Sequence, residues 1–216
     1  MEKALVSQSQ FFVHQKREMA EALTGIETRN RYEVYDAKGS KVGGIEEESS
    51  GMGALLSRMI FKSHRPLNVK VFNTRKEISF YFTRTFFFFF SDMIVKSTVG
   101  QKIGSVHRRF ALLSKKYDLT DERGQVFARI QAPIWRIWKF PIVSREGVSI
   151  GEITKKWRKG KTGVLTEMFT DADTFLIDYG RGHWTPQQRL VILATAISID
   201  FDFFEDNVKG IGLLRS

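Results

Sequence analysis

The sequence of 216 residues contains no cysteine. This absence excludes disulfide bonds, thiol nucleophiles and zinc sites built on cysteine, and it fits a reducing compartment. No apolar run approaches the length of about 18 residues that indicates a transmembrane helix. The N-terminus also lacks a basic segment followed by a long apolar one, so we expect no secretory signal and a cytoplasmic location.

Motifs that mark common enzyme classes are missing as well. The sequence has no phosphate-binding loop, no G-x-G-x-x-G and no H-E-x-x-H. Its histidines, His14, His64, His107 and His183, are scattered without the spacing of metal ligands, and no nucleophile elbow is present. We therefore do not expect a hydrolase or another enzyme with a covalent mechanism.

Basic residues outnumber acidic ones, 34 to 24, which gives a formal net charge of +10. Such a charge indicates an anionic partner, either lipid headgroups or nucleic acid, unless the basic face is merely solvated. Near an anionic membrane each Lys or Arg contributes ~1 kcal/mol of attraction. The densest basic cluster surrounds Trp157 and is our candidate site for an anionic lipid headgroup: Lys155, Lys156, Arg158, Lys159 and Lys161.

A helix is predicted between Thr185 and Glu205. Thr185 is suited to the N-cap, Pro186 to the first helical position, and Gln188 completes a capping box. The apolar run from Leu190 is too short to cross a bilayer, so we expect this helix to be buried within the protein. Its predicted core residues are Leu190, Ile192, Leu193, Ala196 and Ile197.

The remainder of the chain shows β patterning. Four alternating segments contain polar turns at residues 36–39, 73–76, 121–124 and 144–147, and each predicts a hairpin. Phe11–Val13 predicts a further strand. Many short antiparallel strands indicate a barrel or a sandwich, and a closed antiparallel barrel would bury the helix on every side. We expect residues 1–10 to form a flexible tail, 11–206 one domain, and 207–216 a second tail.

Five consecutive phenylalanines follow the second hairpin: Phe86, Phe87, Phe88, Phe89 and Phe90. They indicate either a strand buried on both faces, a loop folded over the barrel mouth, or a surface that enters a membrane, because exposed rings in such a run need a cover. Trp135 and Trp138 flank Arg136, and they fit an interfacial position and a packing role equally well.

Several motifs, in the order found here, resemble those of the phospholipid scramblase family, which is related to tubby-like domains. The resemblance covers about residues 11–206, and the segment at 167–173 is its most specific part. The matching segments lie at 24–32 (TGIETRNRY), 65–67 (RPL), 103–106 (IGSV), 117–130, 151–157 (GEITKKW), 167–173 (EMFTDAD) and 199–205 (IDFDFFE).

This resemblance implies a closed antiparallel barrel of about twelve strands around a hydrophobic C-terminal helix. It also implies association with anionic phospholipid membranes at the inner face of the plasma membrane. The implied activity is movement of phospholipids between leaflets, in both directions, without ATP and with calcium as a stimulus. Tubby-like relatives imply a competing class, a module that binds phosphoinositides or nucleic acid without transport. Neither implies an oligomeric state for this chain.

The calcium segment of the family corresponds to residues 171–182, where Asp171, Asp173 and Asp178 are the candidate ligands. Calcium prefers six to eight oxygen ligands, mostly carboxylates and carbonyls. Gly182 stands where the family has an acidic residue, and the segment is not an EF-hand, so any site here would be weak. The alternative is that Asp171 and Asp173 cap a turn by accepting bonds from backbone amides.

Two features depart from animal members of the family. The sequence contains no proline-rich N-terminal segment of the kind that those members carry, and it has no cysteine for palmitoylation. The cysteine cluster of those members corresponds to the region of the phenylalanine run, which is therefore a candidate replacement for the acyl anchor.

Overall fold

The computed structural model of this protein describes residues 1–16, 30–48, 66–85, 90–156 and 174–204, with the backbone alone for residue 156. Twelve strands alternate in direction and pair with their neighbours in chain order, and the first also pairs with the last, so the sheet closes into a barrel. The strands are β1 (Gln10–Lys16), β2 (Arg31–Asp36), β3 (Lys41–Glu47), β4 (Leu67–Asn73), β5 (Ile78–Arg84), β6 (Asp92–Ser97), β7 (Lys102–Arg109), β8 (Ser114–Asp121), β9 (Val126–Pro133), β10 (Lys139–Val143), β11 (Ser149–Lys156) and β12 (Thr174–Asp178).

All four predicted hairpins are confirmed, as β2–β3, β4–β5, β8–β9 and β10–β11. A fifth hairpin of the same kind, β6–β7, was not predicted. Each turn begins with a residue whose side-chain oxygen accepts hydrogen bonds from backbone amides further along, as Asp121 does from Arg123 and Gln125. Four of the five turns have glycine in the left-handed region, such as Gly124 at φ 79°, and the β4–β5 turn has Lys76 there at φ 61°.

The predicted helix is also confirmed and lies inside the barrel as α2 (Pro186–Phe203). The Thr185 hydroxyl accepts a bond from the Gln188 amide at 3.2 Å, and the Gln188 side chain accepts one from the Thr185 amide at 2.9 Å. Every residue from Leu190 to Phe201 is buried, including the five predicted core residues. Because strands surround the helix, no face of this part of it is left for solvent.

One glycine sets how closely the barrel wall approaches the helix. A Cβ atom added to Gly104 on β7 would lie 2.4 Å from the Thr120 carbonyl oxygen and 2.6 Å from Cγ2 of Val191. Real Cβ atoms do not approach other atoms so closely, so only glycine fits between the helix and the neighbouring strand. Along β4, inward residues such as Val69 and Val71 alternate with outward ones.

The two ends of the barrel differ. At the turn end, short polar turns join the strands and α2 begins. At the loop end, α2 ends and the connections after β1, β3, β5, β7, β9 and β11 leave the sheet. Residues 49–65, between β3 and β4, lie outside the described part of the chain.

The N-terminus differs from the flexible tail that we expected for residues 1–10. Residues Glu2–Ser7 form a helix, α1, and Leu5 is buried in the core, where α1 packs against α2. Gln10 already belongs to β1. The segment forms a helix because its apolar side chains cover core residues that the short turns would otherwise leave exposed to water.

Candidate functional site

The last turn of α2 carries two buried carboxylates, Asp200 and Asp202. Both side-chain oxygens of Asp200 accept hydrogen bonds. The Tyr32 hydroxyl donates to Oδ2 of Asp200 at 2.7 Å, and Nζ of Lys155 donates to Oδ1 at 2.8 Å. All three side chains are buried, so the ion pair forms away from water. These bonds attach the helix to β2 and β11.

The second carboxylate, Asp202, joins the opposite side of the barrel. It accepts bonds from Nη1 of Arg84 at 3.1 Å, from the Tyr117 hydroxyl at 2.8 Å and from the Ser91 hydroxyl at 3.0 Å. Burial, and then the negative charge of Asp202, raises the pKa of Tyr117 well above its ordinary value. Tyr117 therefore keeps its proton and remains a donor at any physiological pH.

A third buried cation near the same end, Lys115, has no carboxylate of the described residues beside it. Within the described chain, Nζ of Lys115 finds no hydrogen-bond partner, and it lies 4.8 and 4.6 Å from the ring centroids of Phe140 and Phe203. Burial lowers the pKa of Lys115. The two rings provide cation–π contacts in place of the missing hydrogen bonds.

Aromatic side chains close the helix end. Phe204 stacks on Trp138 with centroids 5.4 Å apart, and Nζ of Lys155 lies 4.1 Å from the Phe204 centroid. The whole arrangement holds the end of α2 by paired charges and rings. Hydroxyl, ammonium and guanidinium groups of the surrounding strands and loops engage both helix carboxylates, so the arrangement attaches the helix to the barrel wall.

The candidate headgroup cluster is only partly within the described residues. Lys155 lies inside the barrel and is engaged by Asp200, which differs from the surface position expected for it. The backbone of Lys156 ends β11, whereas Arg158, Lys159 and Lys161 lie outside the described residues. Lys155 therefore stabilises the fold as the partner of Asp200. The candidate headgroup site is reduced to the other four residues.

Of the three candidate calcium ligands, only Asp178 lies in the described part of the chain. Its carboxylate accepts a bond from the Gly180 amide at 2.8 Å and one from the Gln10 side chain at 3.0 Å. Among the described residues, no three His, Cys, Asp or Glu side chains gather as a metal would require. Asp178 thus closes a turn, and both of its carboxylate oxygens are already engaged within the protein.

The aromatic candidates for membrane contact divide into two groups. Phe90 is exposed at the loop end, and Phe86, Phe87, Phe88 and Phe89 lie outside the described residues. Trp135 is 72% exposed, whereas Trp138 packs on Phe204. One tryptophan of this pair thus lies at the surface and the other packs.

Sequence reasoning missed the partners of the helix carboxylates and most exposed apolar residues at the loop end. The alternation of residues along β11 could have shown that Lys155 faces inward, as Ile153 does. An inward lysine would then have suggested a partner acid on the buried helix, such as Asp200. The exposed residues could have been found from two segments that mix apolar and basic residues without any acid, 108–117 and 133–139.

In the described residues no helix has both the length and the hydropathy needed to cross a membrane. The helix α2 instead ends in a charged, buried cluster at the loop end of the barrel.

Comparison with known proteins gives one family and several distant relatives. The family model described as Scramblase matches residues 1–206. The chain is 23% identical to Altered inheritance rate of mitochondria protein 25 of Saccharomyces cerevisiae, covering 96% of this chain and 74% of that protein. It is 23% identical to a phospholipid scramblase family protein of Schizosaccharomyces pombe, covering 93% and 60%, and 26% identical to human phospholipid scramblase 1, covering 91% and 63%. No solved structure matches the chain.

Proposed function

This chain belongs to the scramblase family, and from that membership we propose that it moves phospholipids between the two leaflets of a membrane. The observation that carries the proposal is the family match over residues 1–206, which includes the whole barrel and its helix. Because the chain spans only 60% and 63% of the fission yeast and human relatives, their activity is transferred here as a proposal. The proposed movement is bidirectional, needs no ATP and involves no chemical catalysis.

Phospholipids are the proposed substrate because two of the relatives carry that word in their names. The proposed location is the inner face of the plasma membrane, where anionic lipids attract a basic protein. The formal charge of +10 supports such attraction.

The mechanism that the barrel supports keeps α2 inside. The helix is buried from Leu190 to Phe201, and its end is attached by the bonds of Asp200 and Asp202. Removing one partner from a buried ion pair costs about 3–5 kcal/mol, so release of the helix would break two such arrangements. We propose that the lipid travels outside the filled barrel, through a bilayer that the loop end disturbs.

Calcium stimulation is part of the proposal and depends on Asp171 and Asp173, with Asp178 as the adjacent carboxylate. Two carboxylates separated by one residue are suited to calcium when further oxygens join them. A site of so few acids would be weak, so stimulation should need a high calcium concentration. Calcium that leaves the wild-type rate unchanged would remove this part of the proposal.

The remaining part of the proposed function is attraction of anionic headgroups by four basic side chains, Lys156, Arg158, Lys159 and Lys161. Each positive charge near the membrane surface adds ~1 kcal/mol of attraction to anionic lipid. Changing all four to Gln should weaken vesicle binding and reduce its dependence on salt. Lys155→Gln is expected to act through stability instead, because that side chain is engaged by Asp200.

A dithionite assay tests the activity directly. Purified protein is reconstituted into vesicles that contain a fluorescent phospholipid, with and without calcium, and the variant Asp171→Ala/Asp173→Ala is measured in parallel. We expect bleaching of lipid beyond the share of the outer leaflet, faster with calcium for the wild type alone. Bleaching confined to the outer leaflet in every sample would contradict transport and leave an anionic-lipid-binding module.

A further inference from the structure

Exposed apolar side chains concentrate at the loop end of the barrel. Among the described residues, ten large apolar side chains are exposed, and seven of them lie in three loops at this end. The other three, Val6, Val99 and Val148, lie at or near the turn end. The seven are Phe90 after β5, Phe110, Leu112 and Leu113 between β7 and β8, and Ile134, Trp135 and Ile137 between β9 and β10.

These three loops are neighbours along the rim, because β5 to β10 pair in chain order. Phe90 and Phe110 are in contact, with ring centroids 6.4 Å apart in an edge-to-face arrangement. The exposure is high, 78% for Leu112 and 72% for Trp135. Seven such side chains on one side of a barrel mouth form an apolar rim, and clustered apolar surface of this kind marks an interaction site.

Positive charge accompanies the apolar rim. The segment 108–117 contains four Lys or Arg residues, of which Lys115 is buried, and no Asp or Glu. The segment 133–139 contains two Lys or Arg residues and again no acid. Arg109 and Arg136 are exposed beside the apolar side chains, and Arg109 also pairs with Asp118 at 2.8 Å. The nearby acid Asp92 is engaged by His107, whose Nδ1 lies 2.8 Å from its Oδ1. The rim is therefore apolar at its tips and basic around them.

The turn end provides a comparison within the same molecule. Its five turns are polar and carry charges of both signs, with the acids Asp36, Asp121, Glu122 and Glu146 among five Lys or Arg residues. Val99 is exposed there as a single apolar tip in its turn. The difference between the ends is thus one of chemistry and not of loop exposure in general.

From this arrangement we propose that the apolar rim docks on an anionic phospholipid bilayer, with the end of α2 facing the membrane and the turn end facing away. The inference deepens the proposed function and rests on it for the identity of the partner. Apolar tips enter the boundary between headgroups and acyl chains, tryptophan is favoured at that depth, and the surrounding Lys and Arg contact anionic headgroups.

Other occupants fit this rim less well. Two copies joined through it would bring the basic segments of both copies together without acids to balance them. Single-stranded nucleic acid stacks on aromatic rings, yet four of the seven tips, Leu112, Leu113, Ile134 and Ile137, are aliphatic. A lipid bilayer accepts both aliphatic and aromatic side chains and also supplies the negative charge.

The absence of cysteine allows a direct test with single labels. A cysteine carrying an environment-sensitive fluorophore is placed at Leu112 or Trp135 in the rim, and at Val99 or Val148 as matched controls. Vesicles of phosphatidylcholine with phosphatidylserine are then added to the full chain. We expect a blue shift and a stronger signal at Leu112 and Trp135, and no change at the two valines.

A second set of variants measures affinity by co-sedimentation with the same vesicles. Leu112→Ser/Trp135→Ser should weaken binding by roughly tenfold or more for each apolar side chain removed from lipid. The control Val99→Ser/Val148→Ser should bind as the wild type does. High salt should weaken binding of the wild type further, because it screens the basic part of the rim.

Outcomes that overturn the inference are separate from those that overturn lipid transport. Vesicle binding with unchanged labels in the rim, or with full affinity in the serine variant, would place the docking surface elsewhere. A shift of the rim labels without vesicles but with rising protein concentration would identify a second copy as the occupant. Vesicle docking through the rim without lipid flip would support this inference and contradict the proposed transport.

Discussion

The lysine at position 155 shows how one side chain changes role between sequence and structure. In the sequence it opens a basic run, whereas in the fold it bonds Asp200 inside the barrel. The sequence could not identify this partner, because the two residues are 45 positions apart and only closure of the barrel brings them together. The available signal was the spacing of Lys155 from Ile153, because residues two positions apart on a strand face the same side and both of these side chains are buried.

Replacing Lys155 with Met should therefore lower stability instead of weakening lipid binding. An unpaired Asp200 would remain buried, and we expect a loss of about 3–5 kcal/mol in the free energy of unfolding. Denaturant unfolding measures it. The double variant Lys155→Met/Asp200→Asn should recover much of the loss, and equal losses in single and double variants would contradict the pairing.

Lys115 should give the opposite result. Its buried ammonium has no hydrogen-bond partner within the described chain, so Lys115→Met should raise the free energy of unfolding by about 1–3 kcal/mol at neutral pH. Because burial lowers the pKa of Lys115 from 10.5, the unfolded chain holds its proton to higher pH, and wild-type stability gains as pH rises toward 10.5. The variant should lack this gain, and a destabilised variant would contradict the unpaired state.

Glu33 predicts a loss of stability in acid. Burial raises its pKa, but hydrogen bonds with Lys41, Tyr35 and Lys16 outweigh burial and lower the pKa from 4.5 to about 2. The stabilisation is therefore present above pH 4.5 and is lost as the pH falls toward 2. In the variant Glu33→Gln, the free energy of unfolding should change less with pH in that window than it does in the wild type. An unchanged acid slope would show that Glu33 is not so stabilised.

Among the secondary-structure elements, the hairpins were predicted best because their turns carry local signals. Asp, Asn or Ser at the first turn position and Gly in the left-handed region are visible without any tertiary information. The β6–β7 turn, Ser97-Thr-Val-Gly100, has the same design, but its serine is a weaker signal than Asp. Strand β12 was missed because Thr174 and Phe175 are both buried, which breaks the alternation.

The β4–β5 turn predicts a stabilising substitution. Lys76 adopts φ 61° where the four comparable turns have glycine, and a side chain is strained in that region. Lys76→Gly should raise the free energy of unfolding by about 0.5–1 kcal/mol, measured by denaturant. The matched change Gly124→Ala should lower stability. A destabilised Lys76→Gly variant would show that the lysine side chain contributes more than its strained backbone costs.

The molecule as a whole combines a sealed interior with two unlike ends. The apolar pattern of the helix and the hairpins predicted the barrel around the helix, since only enclosure satisfies both. The same patterns could not predict the apolar rim, because exposure of a loop depends on which strands are neighbours and which residues pack on the helix end. Trp135 and Trp138 illustrate this limit, being three residues apart and differing in exposure.

The most direct test of whether α2 stays inside the barrel is to measure lipid flip by protein in which this helix is covalently joined to the barrel wall. The Ser198 hydroxyl lies 3.3 Å from the Met93 sulfur, so the two side chains are neighbours and Met93→Cys/Ser198→Cys can be joined by a short, reducible thiol crosslinker. Each single variant, treated identically, serves as a control. We predict that joined protein flips lipid in vesicles at the rate of the reduced protein. Flip that stops on joining and returns on reduction would show that α2 leaves the barrel during transport.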